Sequence, residues 1–258
     1  AGLKYYLLPD FSKFSASTVL GAIGQMFYSM SLAMGIMITY GSYMKRENIL
    51  EHSVTQIEVF DTLFAFVAGL MIIPAVVAFN GGDPSQINSG PGLMFTTLPM
   101  VFESMAFGDI VGTVFFLLVL FAALTSSISL METIVSVIMD KTPLGRTAAT
   151  LLVTVAALVI GIPSCLGYGP WAGVTIIGMK FLDFFDFISN SVLMPIVAVL
   201  TCILIGHVVG TKVIADEVKQ NFHREKLHHV MIRWIAPVLL VAILVSELAT
   251  KLFGLGTI

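Results

Sequence analysis

Charge is what this chain has least of. Lys, Arg, Asp and Glu together make 11% of its 258 residues, against 57% hydrophobic ones. That leaves too little polar surface to cover a water-soluble globule, which argues against a soluble enzyme and for a membrane setting. The formal net charge of -3 comes with no basic stripe able to track a nucleic-acid backbone, so no nucleic-acid partner is expected. Only two cysteines are present, Cys165 at the end of one apolar run and Cys202 inside another, and neither has metal-site or redox spacing. Both read as packing residues. The short alternating segments of a transmembrane β-barrel are absent, as are the basic flank and cleavage site of a signal peptide. The chain starts on Ala1 rather than on methionine, and the expectation is a start internal to a longer polypeptide.

What is present is a series of long apolar runs. A hydrocarbon core about 30 Å thick needs about 20 mostly apolar residues per helix. With charges as punctuation, spans are expected at 14–44, 57–79, 110–139, 147–166, 181–209 and 234–250. The expected fold class is an all-α, multi-pass integral membrane protein of about six helices, a single transmembrane domain over 1–258.

Lys and Arg mark cytoplasmic connections. Lys45 and Arg46, then Lys141 and Arg146, then Lys212, Lys219, Arg224 and Lys226 occupy alternate connections, whereas 80–109 and 167–179 contain no Lys or Arg. The first three connections are therefore expected inside and the other two outside. Segment 80–109 is long for a connector, punctuated by Gly81-Gly82-Asp83-Pro84 and Ser89-Gly90-Pro91-Gly92. Its apolar stretch Leu93 to Phe102 is costly to leave in water unless it packs, which favours a lid over a solvated loop.

Polar residues within the spans point to function. Ser29, Ser31 and Gly35 fall at mid-depth of the first span. They suit either a helix break, which transporters use to offer backbone groups to ions and substrates, or an unbroken helix whose serines bond their own backbone. In the third span Ala122, Thr125, Ser126 and Ser129 share a face and suit either a cation's oxygen cage or a small-residue packing seam. A central Asp costs roughly 2.5 to 3.5 kcal/mol on insertion scales and normally has a partner. Asp61 is the leading candidate for an ion ligand, with an interfacial end residue as its alternative. Asp183 has Lys180 close by, and Glu132 and Glu247 lie toward span ends. His207, His223, His228 and His229 read as solvated or interfacial, and Trp171 and Trp234 as interfacial anchors.

The segments Gly24-Gln25-Met26-Phe27-Tyr28-Ser29-Met30-Ser31-Leu32, Ile38-Thr39-Tyr40-Gly41-Ser42-Tyr43 and Phe121-Ala122-Ala123-Leu124-Thr125-Ser126-Ser127-Ile128, with Thr97-Leu98-Pro99, resemble the neurotransmitter:sodium symporter family, in particular its bacterial amino-acid transporters. The resemblance covers essentially the whole chain as helices six to eleven of that family's inverted-repeat fold, with a broken first helix here and five preceding helices missing. It implies a second sodium site using the Ala122 carbonyl and the Thr125 and Ser126 hydroxyls. It implies a first sodium site using Ser29 and Asp61, where Asp61 also supplies the fixed negative charge that chloride provides in some relatives. Ala65 falls where some relatives place a serine or glutamate near that anion. Tyr28, Ser31, Met34, Ser126, Ser127 and Leu130 map onto the substrate pocket, and Asp186 onto an extracellular gate. Ala33 stands where a glycine is common and Met34 where an aromatic residue is frequent. Both change the pocket's shape.

The resemblance implies sodium-coupled symport of an amino acid by alternating access, across what is expected to be a bacterial inner membrane. Sodium ions are co-substrates, no organic cofactor is expected, and no chemical reaction is catalysed. The partners expected are the amino acid, sodium, the lipid bilayer and the missing N-terminal helices. Two rivals stand beside it: a truncated or split-gene fragment acting only in assembly, and an ion channel.

Overall fold

The computed structural model describes residues 2–45, 47–83, 87, 90–218 and 222–253. Among these, five helices are long and apolar enough to cross a membrane: Leu50–Phe79, Gly108–Lys141, Arg146–Leu166, Phe181–Val209 and Glu225–Lys251. No strand occurs among the described residues; Ile176 and Met179 form an isolated bridge. In chain order we label Gly2–Leu7 α1, Ala16–Ser29 α2, Ile36–Tyr43 α3, Leu50–Phe79 α4, Leu98–Glu103 α5, Gly108–Lys141 α6, Arg146–Leu166 α7, Phe181–Val209 α8, Thr211–Val218 α9 and Glu225–Lys251 α10.

The first expected span is present as two helices, α2 of 14 residues and α3 of 8, on either side of 30–35. Each is shorter than the bilayer is thick. Ser31, Ala33 and Gly35 have φ of 53°, 60° and 80°, which takes the backbone out of the right-handed helix three times within five residues. The alternative of an unbroken helix is thereby excluded.

Prolines set the finer shape of the helices. π-helical turns lie at Leu93–Thr97, Phe187–Leu193, Leu204–Val209 and Met231–Ile235; the first, second and fourth each end two residues before a proline, Pro99, Pro195 and Pro237, and the third runs up to Gly210. A proline cannot donate to the carbonyl four residues back and its ring crowds that carbonyl, so the preceding turn widens. α4 ends differently, in a turn where Gly82 N–H donates to Val77 O at 2.8 Å and Gly81 N–H to Ala78 O at 3.2 Å, with Gly81 left-handed.

Two compact units are formed, one of Ala1–Phe14 and Thr55–Ile128, the other of Ser15–Val54 and Ser129–Ile258. In the first, Leu98 and Val101 of α5 pack on buried Val76 of α4, with Phe102 against Phe115 of α6. Within the apolar stretch 93–102, Leu98 and Val101 are buried in this packing, whereas Phe95 and Met100 are exposed. In the second unit, Val135 of α6 packs on Ala149 and Val153 of α7, and α8 packs along α10. Elsewhere large apolar side chains such as Phe64, Leu118, Leu158 and Val238 are exposed, as lipid-facing helices require.

Candidate functional site

In the first unit the face expected to meet a cation is one stretch of α6. The Thr125 hydroxyl donates to the carbonyls of Phe121 at 3.1 Å and Ala122 at 3.0 Å. The hydroxyl proton is thereby directed at the helix's own backbone. Ser126 stands next in the helix, and Ser127 donates to Leu124 O at 2.8 Å. Ala122, Thr125, Ser126 and Ser127 are all exposed in this chain. Asp61 is half-buried on α4 and lines a cavity with Ile57, Phe60, Leu63, Phe64 and Val67.

In the second unit Tyr28 and Ser29 are the last two residues of α2, and Ser31 and Met34 lie in the break, both half-buried. The break has its own backbone bonds: Ser31 N–H donates to Tyr28 O and Leu32 N–H to Phe27 O, both at 3.0 Å. Gly35 then caps α3. Leu130 lies in the part of α6 that belongs to this unit and is exposed. Asp186 on α8 accepts a 2.6 Å hydrogen bond from Asn190 Nδ2 on the next turn. The expected site residues are therefore divided, with Asp61, Ala122, Thr125, Ser126 and Ser127 in one unit and Tyr28, Ser29, Ser31, Met34, Leu130 and Asp186 in the other.

Sequence spacing left several polar pairings invisible. Tyr40 of α3 bonds Ser129 through their hydroxyls, and Tyr43 donates to Glu132 Oε1 at 2.6 Å. Arg146, at the start of α7, completes that set with bonds of 2.8 and 3.1 Å to the two Glu132 oxygens. Ser191 donates to Glu247 Oε2 at 3.1 Å, which joins α8 to α10. Glu132 and Glu247 were noticed only as acids near span ends; their partners are 14 to 89 residues away, beyond any local pattern. Of the histidines expected to be solvated or interfacial, His207 is exposed and His228 and His229 are half-buried. His229 Nδ1 is 2.8 Å from the Thr211 hydroxyl, and His228 Nδ1 is buried. The His223 side chain lies outside the described residues, as does Arg46. Lys180 sits 5.1 Å from the centre of the Tyr168 ring.

Several long apolar helices and one broken in mid-span define a multi-pass helical membrane protein of the kind built around discontinuous helices. The chain belongs to the Sodium:neurotransmitter symporter family, whose model matches residues 1–252. It is 33% identical over 254 residues to an uncharacterized sodium-dependent transporter of Haemophilus influenzae, covering 96% of this chain and 54% of that protein. Similarity to the sodium- and chloride-dependent glycine transporter 1 of Xenopus laevis is 26%, over 95% of this chain and 39% of that one. Among solved structures, MhsT in complex with L-phenylalanine matches with a TM-score of 0.85 and 38% identity, over 95% of this chain and 56% of that one. The chain thus spans about half the length of the bacterial relatives it matches.

Proposed function

We propose that this chain is the portion of a sodium-coupled amino-acid symporter that supplies part of its sodium and substrate sites, and that the whole transporter works by alternating access. The observation that carries the proposal is the break at 30–35, with positive φ at Ser31, Ala33 and Gly35 inside an otherwise apolar span. Unwound backbone at membrane depth persists where it lines a cavity or is buried in protein, and there it offers carbonyls and helix ends to ions and substrates. Family membership and the likeness to MhsT with bound L-phenylalanine support an amino acid as the cargo.

In this reading Ala122 O, Thr125 and Ser126 belong to one sodium site, and Ser29 and Asp61 to another. Tyr28, Ser31, Met34, Ser126, Ser127 and Leu130 line the substrate pocket, and Asp186 acts in an outer gate. The connections holding Lys and Arg face the cytoplasm, segment 80–109 serves as an outer lid, and the membrane is a bacterial inner one. Sodium drives uptake only through its differential affinity for the states of the cycle. No covalent chemistry is involved. The test is radiolabelled amino-acid uptake into proteoliposomes containing the full-length parent transporter. Uptake that rises with an inward sodium gradient is expected, and accumulation indifferent to sodium overturns the proposal.

A further inference from the structure

The eight-residue helix α3 is too short to hold its shape alone, so its packing decides where it lies. Ile36, Thr39, Tyr40 and Tyr43 are spaced three and four residues apart and share one of its faces. Ile36 and Thr39 are buried, and the Tyr40 and Tyr43 hydroxyls both reach α6. Their partners Ser129 and Glu132, with Thr133, stand at the same spacing on α6, so one stripe of each helix meets the other. Gly35 lies against the Thr133 methyl, and the Thr133 hydroxyl donates to Ser129 O at 3.0 Å. Tyr40 Oη and Ser129 Oγ are 2.5 Å apart. One turn of α6 therefore carries two attachments of α3, Thr133 at Gly35 and Ser129 at Tyr40.

Two attachments fix a direction where one leaves a pivot. Gly35 and Tyr40 are separated by about 7.5 Å of rise along a helix axis, enough for the second to set the tilt of α3. The Tyr43 bond lies beyond them and shares its Glu132 partner with the exposed Arg146 side chain, which makes it the looser fastening. The tilt matters because of how the break is tied. Ser31 N–H and Leu32 N–H are bonded back to α2, at Tyr28 O and Phe27 O, whereas Gly35 O is bonded forward and accepts from Thr39 N–H at 3.0 Å. Ala33 and Met34 bridge the two. Met34 is joined directly to Gly35 and so follows α3, while Ser31 follows α2.

We propose that Tyr40 and Ser129 are positioning residues for the cargo pocket: their bond sets the direction of α3 on α6 and, through Gly35, the place of Met34. Neither hydroxyl belongs to the sodium or substrate sites proposed above. That Met34 meets cargo rests on the function proposed there; the fastening of α3 does not.

Hydrogen–deuterium exchange of the full-length parent in detergent, read on peptides within 36–43, measures the fastening. Y40F and S129A are each expected to speed exchange there about fivefold, the effect of one ordinary hydrogen bond, and the double variant to go no further. S129T keeps the hydroxyl and should stay near the native rate, and peptides of α7 should not change in any variant. Unchanged rates within 36–43 in both Y40F and S129A overturn the proposal. The second measurement is equilibrium binding, at saturating sodium, of the radiolabelled amino acid that the parent takes up into proteoliposomes. Y40F is expected to raise its Kd by up to about fivefold with Met34 in place and to change it little in an M34A background. An equal change in both backgrounds overturns the proposed route through Met34, because a general loosening of the fold weakens both alike. A native protein that binds no amino acid overturns the function proposed above instead, and the exchange rates then decide the fastening by themselves.

Discussion

A Cβ on Gly35 would lie 2.9 Å from the Thr133 methyl carbon, so the last residue of the helix break sits close against α6 because it has no side chain. Its φ of 80° makes the same demand from the backbone. Two independent constraints therefore meet at one residue.

Replacing Gly35 with Ala is expected to destabilise the protein by about 1 to 3 kcal/mol, since it adds both a left-handed backbone penalty and an overpacked contact. Thr133→Ser removes the clashing methyl and keeps the hydroxyl that donates to Ser129 O at 3.0 Å. The double variant should recover the steric part and not the backbone part. Thermal unfolding of the four proteins in detergent measures both.

Tyr43, Glu132 and Arg146 share one carboxylate, so their effects should not add. Tyr43→Phe and Arg146→Gln are each expected to lower the melting temperature in the native background and to change it little once Glu132 is Gln. The Arg146 effect should shrink with added salt, because its side chain is 58% exposed. Equal effects of Arg146→Gln with and without Glu132 would show that the ion pair does not contribute.

The Ser191 hydroxyl is a partner for Glu247 between α8 and α10. Ser191→Ala is expected to cost about 1 to 2 kcal/mol in thermal stability, the penalty for leaving a part-buried polar group unsatisfied. Glu247→Gln, whose amide oxygen still accepts that hydroxyl, should cost less. A Gln variant that is the less stable of the two would refute the hydrogen bond as the source.

On the proposed function, the Thr125 hydroxyl oxygen is one of the ligands of a sodium ion. Thr125→Val in the full-length parent is expected to weaken sodium-dependent substrate binding about tenfold or more, the size of one lost contact to a charged group. Thr125→Ser keeps the oxygen and should stay close to the native curve. Sodium titrations of radiolabelled substrate binding decide it, and an unchanged Val variant would remove Thr125 from the site.

The membrane class and the helical fold were legible because the hydrophobic effect acts on composition and run length, both of which are local. The broken helix was legible as one of two options: Ser31, Ala33 and Gly35 admit positive φ but do not force it. The π turns before Pro99, Pro195 and Pro237 were not anticipated, although the prolines are in plain view, because what the chain does with an unpaired carbonyl depends on the helix packed beside it. The partner of His229 was not legible for a similar reason: Thr211, 2.8 Å away, comes from a different helix.

By itself the sequence determined that this is an all-helical, multi-pass membrane protein and the family to which its motifs belong. Each of these depends on residue type and on spacing within a single helix. Only the tertiary structure decided that Tyr43 and Arg146 converge on Glu132, that Ser191 meets Glu247, and that the backbone of α10 at Arg233 lies against Gly206 of α8. Those relationships join residues far apart in the chain, and their energies depend on distance and desolvation, which helix packing creates.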